Sequence, residues 1–272
     1  MTKFLLADGC SYTDPSFRSL DESLPEEERS GWAMWPEHLG NSLSLEVINN
    51  GHSGSDNSTI HNRLIRNILD HGDDIKLVCV LWSGFDRFRF MNFRSSLIFH
   101  NLQIVRFPES PFVQPNSNDI MIKSGFPKWL NDFVSYKDFP VTSLIEGAFI
   151  DSFTYMNSIA EICEKRGIPY IFYQGVHPFK ADLPPFNNDN IYVESLKRIL
   201  KTSIYSHTEK RKNNIIGWPF IRRLGGSHLD LERRRKWDYP LPISPKDWHP
   251  NAEAQKRISE IFMKKYQELM ND

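Results

Sequence analysis

The 272-residue chain has few cysteines, and its three, Cys10, Cys79 and Cys163, fall at unrelated spacings. An odd number without a ligand-like pattern excludes a disulfide framework and a zinc cluster, and the expectation is three buried thiols. Long apolar runs are missing as well. No stretch approaches the length that crosses a bilayer, so no membrane partner is expected. Only four apolar residues stand in a row near the start, Phe4 to Ala7 before Asp8, fewer than the core of a signal peptide; the expectation is a cytoplasmic chain. There is no internal repeat and no low-complexity tract. Nor is there an excess of one charge: the formal net charge is −1, with 40% hydrophobic and 25% charged residues. That composition excludes a chain held open by self-repulsion and suits a soluble globular fold.

The small net charge hides an asymmetry. Residues 197–236 carry twelve Lys or Arg against three acids, a net +9, which leaves −10 for the remainder. Such a segment either forms an ordinary solvated face or offers a surface to an anionic polymer.

Short apolar runs alternate with stretches of helical period. Lys3 to Ala7 suits a buried parallel strand that ends in the turn residues Asp8-Gly9. Trp32, Trp35, Leu39 and Leu43 recur at spacings of three and four, one face of a helix. Leu45 to Ile48 reads as a second strand running into the loop Asn49 to Gly54, Ile60 to Leu69 as a second helix, and Lys76 to Trp82 as a third strand. Regularity returns with a helix near Ala148 to Arg166, a strand at Pro169 to Tyr173, a helix over Val193 to Ser206, and a last helix from about Asn251 to Leu269. Strands that alternate with helices predict an α/β fold, a parallel sheet covered on both faces. One domain is expected, with insertions at about 85–147 and 207–246. The first of these is aromatic, proline-rich and without sustained period, as expected of a segment that shapes a pocket.

Ligands of open parallel sheets bind at the carboxyl ends of the strands. Three such ends here lead into loops of small polar residues: Asp8 to Thr13, Asn49 to Asn57, and Ser83 to Arg87. A fourth cluster, Asp247-Trp248-His249-Pro250, precedes the last helix. A serine hydroxyl becomes a nucleophile when a base takes its proton and a carboxylate orients that base. Ser11, His249 and Asp247 form such a set. The oxyanion that follows needs preorganised donors, and Ser11 N–H, Gly54 N–H and the Asn57 side chain are the candidates. Trp82, Ser83, Asp86 and Arg87 are candidate pocket residues. Each also has a plain structural reading: Ser11 as a turn or cap residue, Asp247 as a favourable residue near a helix start.

Four blocks together resemble the SGNH hydrolases, also called GDSL-type esterases and lipases: Gly9-Cys10-Ser11-Tyr12-Thr13, Gly54-Ser55-Asp56-Asn57, Leu81 to Arg87, and Asp247-Trp248-His249-Pro250-Asn251. The GCSYT and DWHPN forms look like a divergent branch found among phage and bacterial proteins. The resemblance implies a flavodoxin-like α/β/α sandwich, a Ser11 nucleophile whose N–H helps hold the oxyanion, and no metal or other cofactor. Three positions differ from the family pattern. Cys10 stands for an acid, Phe85 for an oxyanion-hole Asn, and Lys246 for the acid three residues before the histidine. Asn57 or Ser83 then becomes the candidate for the missing donor. Asp247 either orients His249 or leaves a Ser-His dyad with a backbone carbonyl on the second ring nitrogen.

Other candidates carry less. Cys10 reads as a small buried residue at a strand end. His177, His207 and His228 lack metal-ligand spacing. Trp82, Trp129, Trp218 and Trp237, with Phe88, Phe90 and Phe93, form either core or a stacking wall for a ligand. Two readings follow. The first is a serine hydrolase that removes an O-acyl group, such as acetyl, from a carbohydrate or small polar substrate. The second is a catalytically silent protein of the same fold that binds an anionic polymer, nucleic acid or acidic glycan, through residues 197–236.

Overall fold

A computed structural model describes residues 2–85, 87–92, 97–107, 110–115, 141–175, 198–218, 242–244 and 246–271. Its centre is a five-stranded parallel sheet built from β1 (Phe4–Gly9), β2 (Glu46–Asn49), β3 (Ile75–Trp82), β7 (Tyr170–Gln174) and β8 (Ile215–Ile216). The strand order is β2-β1-β3-β7-β8. This is the doubly wound order with a switch point between β1 and β3. β3 lies in the middle, and Leu77 to Trp82 are all fully buried, which explains the near-continuous apolar run in its sequence.

The two-residue strand period sends alternate side chains to opposite faces. Leu6, Val78, Val80, Trp82 and Phe172 pack against α2 (Asn57–His71) and α3 (Val141–Arg166), with Ile60, Leu64, Phe153 and Met156. Leu5, Ala7, Leu77, Cys79, Leu81 and Tyr173 face α1 (Trp35–Leu43) and α5 (Ala252–Asn271). On that side Trp35 stacks on Phe262 with ring centroids 4.3 Å apart. The molecule is therefore a three-layer α/β/α sandwich, the fold class expected from the sequence. The three cysteines are buried and free.

Several boundaries differ from expectation for identifiable reasons. Trp32 precedes α1, which starts beside Pro36, a residue suited to the first helical turn. Thr202 has extended backbone, and its hydroxyl accepts from Tyr205 N–H, so α4 (Ser203–Glu209) begins inside the helix expected over 193–206, whose first five residues lie outside the described ones. The stretch read as irregular from residue 85 holds an antiparallel three-stranded sheet, β4 (Arg87–Asn92), β5 (Leu97–Phe107) and β6 (Ser110–Pro115), and α3 starts at Val141. Phe88 and Phe90 alternate with arginines there, a two-residue period masked by the surrounding aromatics. The second expected insertion overlaps α4 and β8 at its start; its residues 219–241 lie outside the described ones. A two-stranded antiparallel ribbon, β9 (Pro242–Ser244) and β10 (Asp247–Pro250), leads into α5.

At the carboxyl end of β1 the sheet holds a buried charge. Asp8 is fully buried, and its carboxylate accepts from Arg63 Nη2 at 2.5 Å, Arg63 Nε at 3.0 Å and Gly9 N–H at 2.6 Å. Arg63, on α2, also donates to the Gly9 carbonyl at 3.2 Å and to Ser55 Oγ at 2.9 Å. Burial pushes the Asp8 carboxyl up to about 7 against the pull of Arg63. Removing one partner of a buried pair leaves the other uncompensated. Arg63→Met is therefore expected to lower unfolding free energy by about 3 kcal/mol or more, measured by urea denaturation at pH 7; wild-type stability would contradict this role.

Candidate active site

The loop after β1 is shaped by a tight turn in which Thr13 N–H donates to the Cys10 carbonyl at 2.9 Å, with Ser11 at the corner. Each neighbouring element fixes it. Trp35 Nε1 donates to Thr13 Oγ1 at 3.1 Å, Asn49 Nδ2 to the Thr13 carbonyl at 2.9 Å, and Gln255 Nε2 to the Tyr12 carbonyl at 3.1 Å. Gly51 comes so close that a Cβ there would lie 2.5 Å from the Thr13 carbonyl carbon and oxygen, so only glycine fits. Asp14 joins this loop to the one after β2: its carboxylate accepts from Ser53 N–H at 2.7 Å and from Ser16 N–H at 2.8 Å. Burial raises the Asp14 carboxyl, but these bonds outweigh it and hold it below its ordinary value.

Ser11, 7% exposed, meets the far end of the chain. Its Oγ lies 2.9 Å from His249 Nε2, and His249 Nδ1 lies 2.5 Å from Asp247 Oδ1. Asp247 and His249 sit two apart on β10, so their side chains share one face of the strand. That period lets an acid two residues before the histidine reach it, and the nitrogen offered to a backbone carbonyl in the dyad alternative is occupied by a carboxylate. Burial works to raise the Asp247 carboxyl, but bonds from His249 and Ser19 outweigh it and hold it at about 2. The ionised carboxylate only accepts, so Nδ1 carries the ring proton and Nε2 accepts from the serine hydroxyl. The imidazole is held by rings on two sides. Phe17 lies over it at 4.4 Å and Tyr12 presents an edge at 5.5 Å.

Two residues here gave no signal in the sequence. Ser19 Oγ donates to Asp247 Oδ2 at 2.5 Å, and Ser244 Oγ donates to Asp21 Oδ2 at 2.6 Å while accepting from Asp247 N–H at 3.1 Å. The acidic loop between β1 and α1, which has no periodicity, thus clamps β9 and β10. Gln255 was legible in principle, as a polar residue on the apolar stripe of α5 with Ile258 and Phe262.

The serine and histidine open onto a cleft of about 820 Å³, whose walls include Phe17, Arg18, Ser53, Gly54, Arg87 and Lys246. Gly54 has φ of 84°, a region that favours glycine. Neither Ser11 N–H nor Gly54 N–H has an acceptor among the described residues. The other expected site residues stand elsewhere. Asn57, at the start of α2, turns its amide to Ser83: Oδ1 accepts from Ser83 N–H at 2.9 Å, and Nδ2 donates to the Ser83 carbonyl and to Ser152 Oγ, both at 3.2 Å. It ties α2 to the end of β3, with its amide engaged by Ser83 and Ser152 rather than turned to the cleft. Trp82 and Ser83 are fully buried, Trp82 edge-on to Phe172 in the core, because β3 is covered on both faces. Of the described residues in that group Arg87 lines the cleft; Asp86 lies outside the described residues.

Of the remaining candidates, Cys10 is buried in the core and Trp218 stacks on Tyr205 at 5.3 Å. His207 contacts Glu161 at 3.0 Å. Within the basic segment, Arg198 pairs with Glu146 and Arg211 with Glu164, both acids on α3. Trp129, Trp237, His177, His228 and the side chains of Phe88, Phe90 and Phe93 lie outside the described residues. Among the described residues no group of His, Cys, Asp and Glu could hold a metal ion, and no helix is long and apolar enough to cross a membrane.

No protein-family model matches the chain, and no curated protein matches it. Among solved structures it is similar to the acetylxylan esterase Axe2 from Geobacillus stearothermophilus, at 11% identity over 97% of this chain and 93% of that one, with a TM-score of 0.46. It is also similar to TesA, at 15% identity over 98% and 99% of the two chains, TM-score 0.44. A third is a protein described as lipolytic and of the G-D-S-L family from Desulfitobacterium hafniense, at 14% identity over 97% and 99%, TM-score 0.46.

The Asp247 carboxyl is at about 2 in the folded protein against an ordinary 3.8. A lowered folded value means stability that is complete above the unfolded value and lost as pH falls through the folded one. Urea midpoints of the wild type should therefore fall between about pH 4 and pH 2 more steeply than those of Asp247→Asn. Parallel profiles would contradict the paired carboxylate.

Proposed function

We propose that the chain is a serine hydrolase of the SGNH type that cleaves an ester, an O-acyl group on a carbohydrate or other small polar substrate. The observation that carries this reading is the hydrogen-bonded line Ser11–His249–Asp247, 2.9 Å and 2.5 Å, at an open cleft. In this mechanism Ser11 Oγ attacks the acyl carbon as its proton passes to His249 Nε2. Asp247 holds the imidazole in the tautomer that accepts there and stabilises the imidazolium that forms. The negative charge on the carbonyl oxygen falls to the N–H groups of Ser11 and Gly54. His249 returns the proton to the departing alcohol, and water repeats the sequence on the acyl-enzyme. A polar substrate suits a cleft rimmed by Arg18, Asp21, Glu22, Ser23 and Lys246. Four or more hydrogen bonds fix the loops before any substrate arrives, so little reorganisation accompanies attack.

The reading is tested with p-nitrophenyl acetate and a fluorophosphonate probe on the full chain. Ser11→Ala is expected to lower turnover by about a thousandfold or more and to abolish covalent labelling, with unfolding midpoint preserved. Full turnover in Ser11→Ala would sink the mechanism. An unlabelled, inactive wild type that binds nucleic acid with steep salt dependence would favour the silent polymer-binding reading instead.

A further inference from the structure

Two backbone donors leave the oxyanion of the proposed reaction without a side-chain partner, and the residues nearest in sequence do not supply one. Phe85 is 2% exposed and set edge-on between Phe149 and Phe153. The Asn57 amide is bonded to Ser83 and Ser152. Ser83 is fully buried. The wall of the cleft that holds Gly54 carries a guanidinium instead, that of Arg87 at the start of β4.

Arg87 is held on one side only. Its Nη1 reaches the Ser55 carbonyl, one residue past Gly54, at 3.4 Å, the long end of a hydrogen bond. Its Nε is buried and has no acceptor among the described residues. A buried guanidinium N–H without a partner is costly, and a catalytic role is one of the explanations such a group calls for. The other cations of the cleft differ: Arg18 bonds Glu26 at 2.6 Å, and Lys246 is exposed. Among the described residues no carboxylate pairs with Arg87.

We propose that Arg87 is a catalytic residue, the charged third donor to the oxyanion formed when Ser11 attacks. The inference rests on the serine-hydrolase reading. As the bond from Ser11 Oγ to the acyl carbon forms, the carbonyl π pair moves to oxygen and the hydroxyl proton goes to His249. The guanidinium then lies against the new negative charge. When that pair returns, the bond to the alcohol oxygen breaks and His249 protonates it. Arg87 gains no proton and loses none. A fixed planar cation acts chiefly where charge develops, so its effect belongs to kcat rather than KM.

The test compares wild type, Arg87→Met, Arg87→Lys and Ser11→Ala on p-nitrophenyl acetate, a neutral ester. Arg87→Met is expected to lower kcat by about 10²–10³-fold with KM within about twofold, and to slow fluorophosphonate labelling of Ser11 in parallel. Added millimolar guanidinium ion should restore part of the rate. Should the methionine variant fail to fold, Arg87→Lys, which keeps stem and charge but not the fork, is expected to lower kcat about tenfold or more. Unchanged kcat in a folded Arg87 variant, or an effect confined to KM, overturns the proposal while an inactive Ser11→Ala upholds the hydrolase reading. A wild type that neither turns over the ester nor labels at Ser11 overturns both.

Discussion

The pair formed by buried Asp8 and part-buried Arg63 is the constraint on which the rest of the site depends. A carboxylate at the end of the second strand of an open sheet, fully removed from water, is tolerated only with charge and hydrogen bonds around it, and Arg63 supplies both. The same guanidinium reaches Gly9 and Ser55. One side chain on α2 thus fixes the loop that carries Ser11 relative to the loop that carries Gly54. Asp8, the Ser11 loop and the Gly54 loop form one polar cluster at the topological switch point, where the two halves of a doubly wound sheet diverge. A rigid scaffold below and loops above is the division of labour this fold class permits.

Above that cluster the geometry is set by a ring of supporting side chains around the Ser11, His249 and Asp247 triplet. Ser19 and Ser244 hold the Asp247 block, Phe17 and Tyr12 hold the imidazole, and Gln255 holds both the Tyr12 carbonyl and, through its own carbonyl at 3.0 Å, the first N–H of α1. Each is individually a modest hydrogen bond or ring contact. Together they tie the serine loop, the imidazole and the carboxylate to one another from several elements, the kind of support that preorganises a site.

The fold was largely legible in the sequence because its signals are local. β3 announces itself by an unbroken apolar run, α2 by its stripe at Ile60, Leu64 and Ile68, and the polar loops by their place after strands. Ser11, Asp247 and His249 could be singled out from order and residue type, whereas the strand β10, whose period of two brings the acid and the histidine to one side, was not expected. What stayed hidden depends on distant partners. That Asn57 turns toward Ser83 is decided by the packing of α2 on β3, and that Ser19 meets Asp247 is decided by a loop without period. The three-stranded sheet from residue 87 was missed because the aromatic residues that crowd the surrounding sequence, Phe85 and Phe93 among them, blur the two-residue alternation of Phe88 and Phe90.

The contact between Ser11 and His249 spans 238 positions of the chain. During synthesis a protein emerges amino end first, so Ser11 leaves the ribosome long before His249 can stand beside it. Until β10 docks, the hydroxyl is an ordinary alcohol. In the proposed reaction the serine would therefore gain its base only when the β9–β10 ribbon docks beside the parallel sheet, and a chain truncated before residue 247 would carry the hydroxyl without it.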